Sequence, residues 1–170
     1  LFLPNDHGYE YALVVCDVGS RLCDAVPLKS KHAKSLIDAF RTIYNDHNIL
    51  KQPVHLSVDA GSEFTGRDVK KALQDRHIKL KICKVGRHRQ QAIVERKNQT
   101  IGKLAYMRLI HDELASGHPS ADWVQYLQPI ISAINKKVRS HQTKIQKQYN
   151  LPLAKGDATE LLSIGQKVRV

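Results

Sequence analysis

Acidic side chains are in short supply in this sequence of 170 residues. Sixteen Asp and Glu stand against 27 Lys and Arg, a formal net charge of +11. Such an excess points to a polyanionic partner, nucleic acid above all, bound with strong salt dependence. Aromatic residues make up only 6%, too few rings for a dedicated single-strand binder that stacks bases. No apolar run approaches the roughly 20 residues that span a bilayer, so no membrane association is expected. Leu1-Phe2-Leu3-Pro4 is too short for the apolar core of a signal peptide and lacks a basic start. A start at Leu rather than Met reads as a processed product or an excised segment. Cysteine is limited to Cys16, Cys23 and Cys83, with no C-x-x-C pair. Two of them lie in strand-like runs and read as buried free thiols, which suits a reducing intracellular compartment. None of the nine His residues pairs with Cys at finger-like spacing, so no structural zinc is expected.

What is present is ordinary globular material, 42% hydrophobic and 25% charged, enough for one core-bearing domain with a small appendage. Tyr11 to Val18 is a β-branched apolar run, hence a buried strand, and Gly19-Ser20 turns it into a second strand over Leu22 to Leu28. Ser30 is placed to cap a helix reaching Asn45, with Ala33, Leu36, Ile37, Phe40 and Ile43 on its apolar face. A short strand, Val54 to Val58, delivers Asp59 at its C-terminal end. A helix over Arg67 to Arg76 and a strand over Ile78 to Cys83 follow, then a basic loop from Lys84 to Gln90. A long helix from Gln90 closes near Gly117-His118-Pro119. Ser120 is expected to cap the next helix, which Pro129 should kink or divide. From Arg139 the sequence is polar and aperiodic and reads as a linker. Gly165 to Val170 resembles the opening strand of a small barrel. The resulting division is a core at 1–138, a basic linker at 139–160 and the start of a small β-barrel at 161–170. Strands, helix, strand, helix, strand and long helices in that order predict an α/β fold with a mixed central sheet flanked by helices.

Two acidic residues stand out by their surroundings. Asp59 lies in Ser57-Val58-Asp59-Ala60-Gly61-Ser62-Glu63-Phe64 and Glu95 in Gln91-Ala92-Ile93-Val94-Glu95-Arg96-Lys97-Asn98. Either alone reads as a turn residue or a solvated helix carboxylate. A strand-end Asp and a helix Glu together offer the hard oxygens that Mg²⁺ prefers, and two such ions clamp the attacking and leaving oxygens of a phosphodiester. The motifs, and the gap from position 60 to 94 between them, resemble the catalytic core of retroviral-type integrases. The likeness covers about Leu3 to Asn135 and is nearest to integrases of retrotransposons and Maverick-type viral elements. It implies a ribonuclease-H-like fold, Mg²⁺ or Mn²⁺ as cofactor, and 3′-end processing with strand transfer into target DNA. The implied partners are double-stranded DNA ends, target DNA and further copies of the chain, in a nucleus or viral particle.

On the long helix, Gln91, Glu95, Asn98, Gln99 and Gly102 share one face by i, i+3, i+4, i+7 spacing. The resemblance supports DNA contact most for Gln91 and Asn98. Arg96, Lys97 and Lys103 add positive charge, as do Lys84, Arg87 and Arg89 in the preceding loop, which resembles the family's active-site flap. The family uses three carboxylates, the first on the first strand of its sheet. Here that strand must be Leu1 to Pro4, which holds no acid. The first ligand is therefore expected just upstream of Leu1, with Asp17 as the substitute otherwise. A structure-selective nuclease and a non-catalytic DNA-binding or assembly domain of the same fold remain open.

Overall fold

A computed structural model describes residues 1–59, 61–83 and 88–149, with side chains at all of these except 62, 88–91 and 149. Strands β1 (Phe2–Asp6), β2 (Tyr9–Cys16) and β3 (Cys23–Leu28) form an antiparallel sheet in that order. His7 and Gly8 both have positive φ, 51° and 89°, the geometry that turns two strands within two residues. Strands β4 (His55–Val58) and β5 (Lys79–Ile82) pair in parallel. The helices are α1 (Ala33–Arg41), continued by a π-helical segment over Thr42–His47, then α2 (Ser62–Thr65), α3 (Arg67–Asp75), α4 (His88–Ser116) and α5 (Val124–Tyr149). The fold is α/β, as the element order predicts. Parallel and antiparallel pairings are both present, but in two sheets that no described ladder joins.

Alternation along β2 and β3 splits the core in two. Leu13, Val15 and Leu28 face α1, the π-helical segment, α3 and β4, packing with Leu36, Phe40, Ile43, Val69 and Leu73. Ala12, Cys23 and Ala25 face the other way, onto Ile101, Ala105 and Leu109 of α4 and Leu127, Ile130 and Ile131 of α5. Trp123, fully buried in this second cluster, donates its indole N–H to the Pro4 carbonyl at 2.7 Å.

Among the described residues the outer edge of β3 has no strand partner, and α5 covers it. Asn135 accepts the Cys23 N–H at 2.9 Å and donates to the Cys23 carbonyl at 2.7 Å, and Gln128 donates to the Ala25 carbonyl at 2.6 Å. Side-chain amides thus replace the missing ladder, which a buried edge requires. Between these contacts sits Asp24, a carboxylate with no solvent exposure. It accepts from the Ala25 N–H and from His47 Nδ1, at 2.7 and 2.9 Å.

Several expectations change. The first strand extends past Pro4 to Asp6 and does hold an acid, but that carboxylate accepts the Val124 N–H at 2.7 Å and so caps α5. Ser120 is not the cap, because α5 begins only at Val124, after Trp123 has docked; the Ser120 N–H donates instead to Glu113. Ser30 does not cap α1 either: its hydroxyl bonds Ser35, and the N-cap position is His32. The first long helix widens to π geometry before ending in the left-handed Asn48. Helix α5 runs unbroken through Pro129. It also continues through 139–149, where a linker was expected, because half-buried Val138, Gln142 and Ile145 keep one face on the domain. Gln142 there donates to the Ser20 carbonyl at 2.6 Å. The expected boundary at 138/139 therefore falls inside a helix, and the barrel-like segment at 161–170 lies outside the described residues.

Candidate active site

β4 buries Leu56 and Val58 and then ends, releasing Asp59 at the strand's C-terminal edge with its side chain exposed. Across from it, α4 presents Glu95. Both line one open cleft together with Leu1 and Phe2 of β1, Cys16 and Asp17 at the end of β2, Glu63 of α2, and Val94 and Asn98 of α4. The sequence motifs 36 positions apart thus meet in space, and the helical spacing of Glu95 and Asn98 puts both on the cleft side. Gly102, two turns after Glu95, brings α4 against Leu1: a β-carbon there would stand 3.7 Å from the Leu1 side chain.

Among the described residues, neither Asp59 nor Glu95 takes part in an ion pair or hydrogen bond. The Asn98 Oδ1 is buried without a partner in the same cleft, an acceptor whose desolvation is uncompensated. Tyr44, deeper in the cleft, has a buried phenol in the same condition, and burial pushes its pKa up to about 12. The Leu1 amino group is held below its ordinary value by burial and by Lys31, while Asp59 and Glu63 pull the other way. Leu1 lines the same cleft as both carboxylates. Glu63 was not singled out in the sequence; the only signal for it was its place two residues after Gly61 in the Asp59 motif.

Asp17 is differently engaged. Its carboxylate accepts the Ser20 N–H at 2.8 Å, the Ser20 hydroxyl and the Gly19 N–H at 3.3 Å. Partial burial raises its pKa, but those hydrogen bonds outweigh burial and leave it lowered. Asp17, Asp59 and Glu95 do not bring their oxygens together as closely as a shared ion requires. Among the described residues, the one trio of His, Cys, Asp or Glu with ligand atoms all within 4.8 Å is Asp6, His7 and Asp122, where Asp6 is already the cap of α5.

Of the basic and amide candidates, Arg96 and Lys103 are exposed on α4 and Lys97 and Asn98 are half-buried. Gln99 is exposed and does not line the cleft. Arg89 and Gln91 lie in the first turn of α4, with side chains outside the described set. Lys84 and Arg87 lie outside the described residues.

The donor set of the cleft is hard: the carboxylates of Asp59, Glu95 and Glu63, and an orphaned amide oxygen. Oxygen ligands with room for water and substrate are what Mg²⁺ takes, so the donor chemistry suits a divalent ion, although among the described residues no three of the cleft's carboxylates bring their oxygens within 4.8 Å of one another.

A strand-end Asp facing a helix Glu across an α/β domain of this order defines the ribonuclease-H-like class. Solved structures share the fold. The simian T-cell lymphotropic virus intasome, solved in complex with PP2A regulatory subunit B56 gamma, aligns over 68% of this chain and 40% of its own, at TM-score 0.55 and 19% identity. The HTLV-2 integrase catalytic core in complex with magnesium, in its trimeric form, aligns over 71% of this chain and 67% of its own, at TM-score 0.50 and 22% identity. The chain belongs to the integrase core domain family, whose pattern matches residues 1–88. It is similar to the Pro-Pol polyproteins of feline foamy virus (28% identical) and simian foamy virus type 1 (26%), each over 98% of this chain. It spans only 14% of the length of either. It is an integrase core of retroviral type, and no helix among its described residues is long and apolar enough to cross a membrane.

Proposed function

We propose that the Asp59–Glu95 cleft carries out metal-dependent phosphoryl transfer on DNA, trimming 3′ ends by hydrolysis and joining them to target DNA by transesterification. The observation that supports this reading is that two carboxylates without a partner among the described residues, from the end of β4 and from α4, line one cleft with the orphaned Asn98 oxygen. Mg²⁺ or Mn²⁺ bound there would activate the attacking oxygen and neutralise charge at phosphorus. Asp59 and Glu95 would hold the ion from two rigid elements. Asn98, and Gln91 one turn before Glu95, orient the DNA strand beside it. Arg96, Lys97 and Lys103, with Arg89 in the first turn of α4 and Lys84 and Arg87 before it in the sequence, bind flanking phosphates. Asp17 is the weaker candidate for a further ligand, since Ser20 and Gly19 already occupy its oxygens; a residue preceding Leu1 is the alternative. Two DNA ends joined in concert require at least two copies of the chain, in keeping with its viral relatives and action in a nucleus or viral particle.

The test uses the full-length protein, a blunt-ended DNA duplex and Mg²⁺. Asp59→Asn and Glu95→Gln should each abolish trimming and joining while leaving the metal-free thermal midpoint unchanged. Joining retained in either variant would overturn the ligand assignment. Asp17→Asn should be tolerated by comparison; a loss equal to that of Asp59→Asn would make Asp17 the further ligand.

A further inference from the structure

Cys16 and Cys23 were expected to be buried free thiols, and the function proposed above makes no use of them. Their placement is specific. In the β2–β3 register they stand directly opposite one another as the last pair of the ladder. The Asp17 N–H donates to the Leu22 carbonyl at 2.9 Å, which makes 17/22 a hydrogen-bonded pair and 16/23 a non-hydrogen-bonded one. The outward-pointing Cys23 N–H and carbonyl agree, for both are taken by Asn135 rather than by Cys16. Non-hydrogen-bonded pairs bring Cα atoms to about 4.5 Å with side chains closest, inside the range that a disulfide spans. Both side chains leave the same face of the sheet. Cys23 is fully buried, whereas Cys16 is partly exposed and lines the open cleft.

We infer that Cys16 and Cys23 are a reversible dithiol–disulfide site at the wall of the active-site cleft, oxidised by a small peroxide that enters from the cleft. The Cys16 sulfur attacks one oxygen of hydrogen peroxide; the S–O bond forms, the O–O bond breaks, and the departing hydroxide leaves as water with the Cys16 proton. The Cys23 sulfur then attacks the Cys16 sulfur. The S–S bond forms, the S–O bond breaks, and the second water carries away the Cys23 proton. Two thiols and one peroxide thus give one disulfide and two waters, the two electrons passing from sulfur to oxygen. The bond closes a loop containing Asp17 and Ser20 and so ties the turn at the cleft edge to the end of the hairpin. Cys83, buried at the end of β5, is not a member of the pair.

The experiment exposes the folded full-length protein to hydrogen peroxide, quenches it in denaturant with excess N-ethylmaleimide, and digests with trypsin. Arg21 lies between the two cysteines and Lys29 is the next basic residue after it, so cleavage leaves the peptide ending at Arg21 and residues 22–29 joined only through sulfur. The expected product is this linked pair, two hydrogens lighter than the separate peptides. Dithiothreitol should abolish it, Cys83→Ser should retain it, and Cys16→Ser and Cys23→Ser should lack it. Wild-type protein carries the decision, whether or not the serine variants fold. Linkage through Cys83, oxidation of Cys16 to the sulfinic acid without linkage, or no linkage at all would each overturn the proposal.

Discussion

Asn135 of α5 and Cys23 of β3 exchange two hydrogen bonds: the amide oxygen accepts the Cys23 N–H, and the amide nitrogen donates to the Cys23 carbonyl. Both residues are buried, so no water is at hand to replace either bond. Asn135→Leu should destabilise the domain by about 2–4 kcal/mol, because it strands a buried N–H and a buried carbonyl. Asn135→Asp keeps the acceptor but loses the donor and should also be destabilising. Chemical denaturation of the three forms checks this, and a loss below about 0.5 kcal/mol for Asn135→Leu would mean the β3 edge is satisfied in another way.

Asp6 ties the β1–β2 hairpin to the start of α5 through the Val124 N–H, where a negative charge also meets the positive end of the helix. Asp6→Ala should cost about 1–2 kcal/mol, as the loss of an N-cap does. Asp6→Asn keeps an acceptor oxygen and should recover most of that. Equal losses in the two variants would argue that the charge, not the cap bond, is what matters.

The Asp17 carboxyl is lowered by the Ser20 and Gly19 donors against the opposing effect of burial. A group depressed on folding contributes stability that is present above its unfolded pKa and lost as pH falls through the folded one. Acidification below the ordinary carboxylate range should therefore loosen the 17–20 turn. Ser20→Ala removes the hydroxyl donor and should move the Asp17 titration upward, as read by carboxyl NMR. An unmoved titration would show that the backbone donors alone set it.

DNA affinity should fall steeply with salt, since each neutralised phosphate releases counterions. Replacing Arg96 and Lys103 by Glu, or Arg87 and Arg89 likewise, should weaken binding to a duplex. It should also flatten the plot of log affinity against log salt by about 0.9 for each phosphate no longer neutralised. A slope near zero in the parent protein would show that the excess positive charge is not a DNA track.

Much of this was legible in the linear sequence. The alternation of Leu13 and Val15 against Ala12 and Val14, and the helical spacing of Leu36 and Phe40, depend only on local geometry, and the structure keeps both. The same holds for Asp59 at a strand end and Glu95 inside a helix. Helix ends were misread where the capping group comes from elsewhere: Ser30 and Ser120 carry the usual cap chemistry, yet His32 and the distant Asp6 stand where α1 and α5 begin. Residues 139–149 look aperiodic because only one narrow, partly polar face, with Val138, Gln142 and Ile145, meets the domain.

The sequence by itself therefore determined most of the strand and helix identities, residues 139–149 apart, together with the two acidic motifs and the basic charge. Each of these is written in neighbours a few positions apart, where steric period and side-chain type act directly. Tertiary structure alone decided that Asp59 and Glu95 share a cleft with Glu63 and an orphaned Asn98 oxygen, that Asp17 is spent on its own turn, and that Cys16 opposes Cys23. It also decided that Asn135 and Asp6 bond partners 112 and 118 positions away. Such contacts depend on how the strands register and where the helices dock, and no local pattern of residues encodes the distance between segments that meet only after the core has formed.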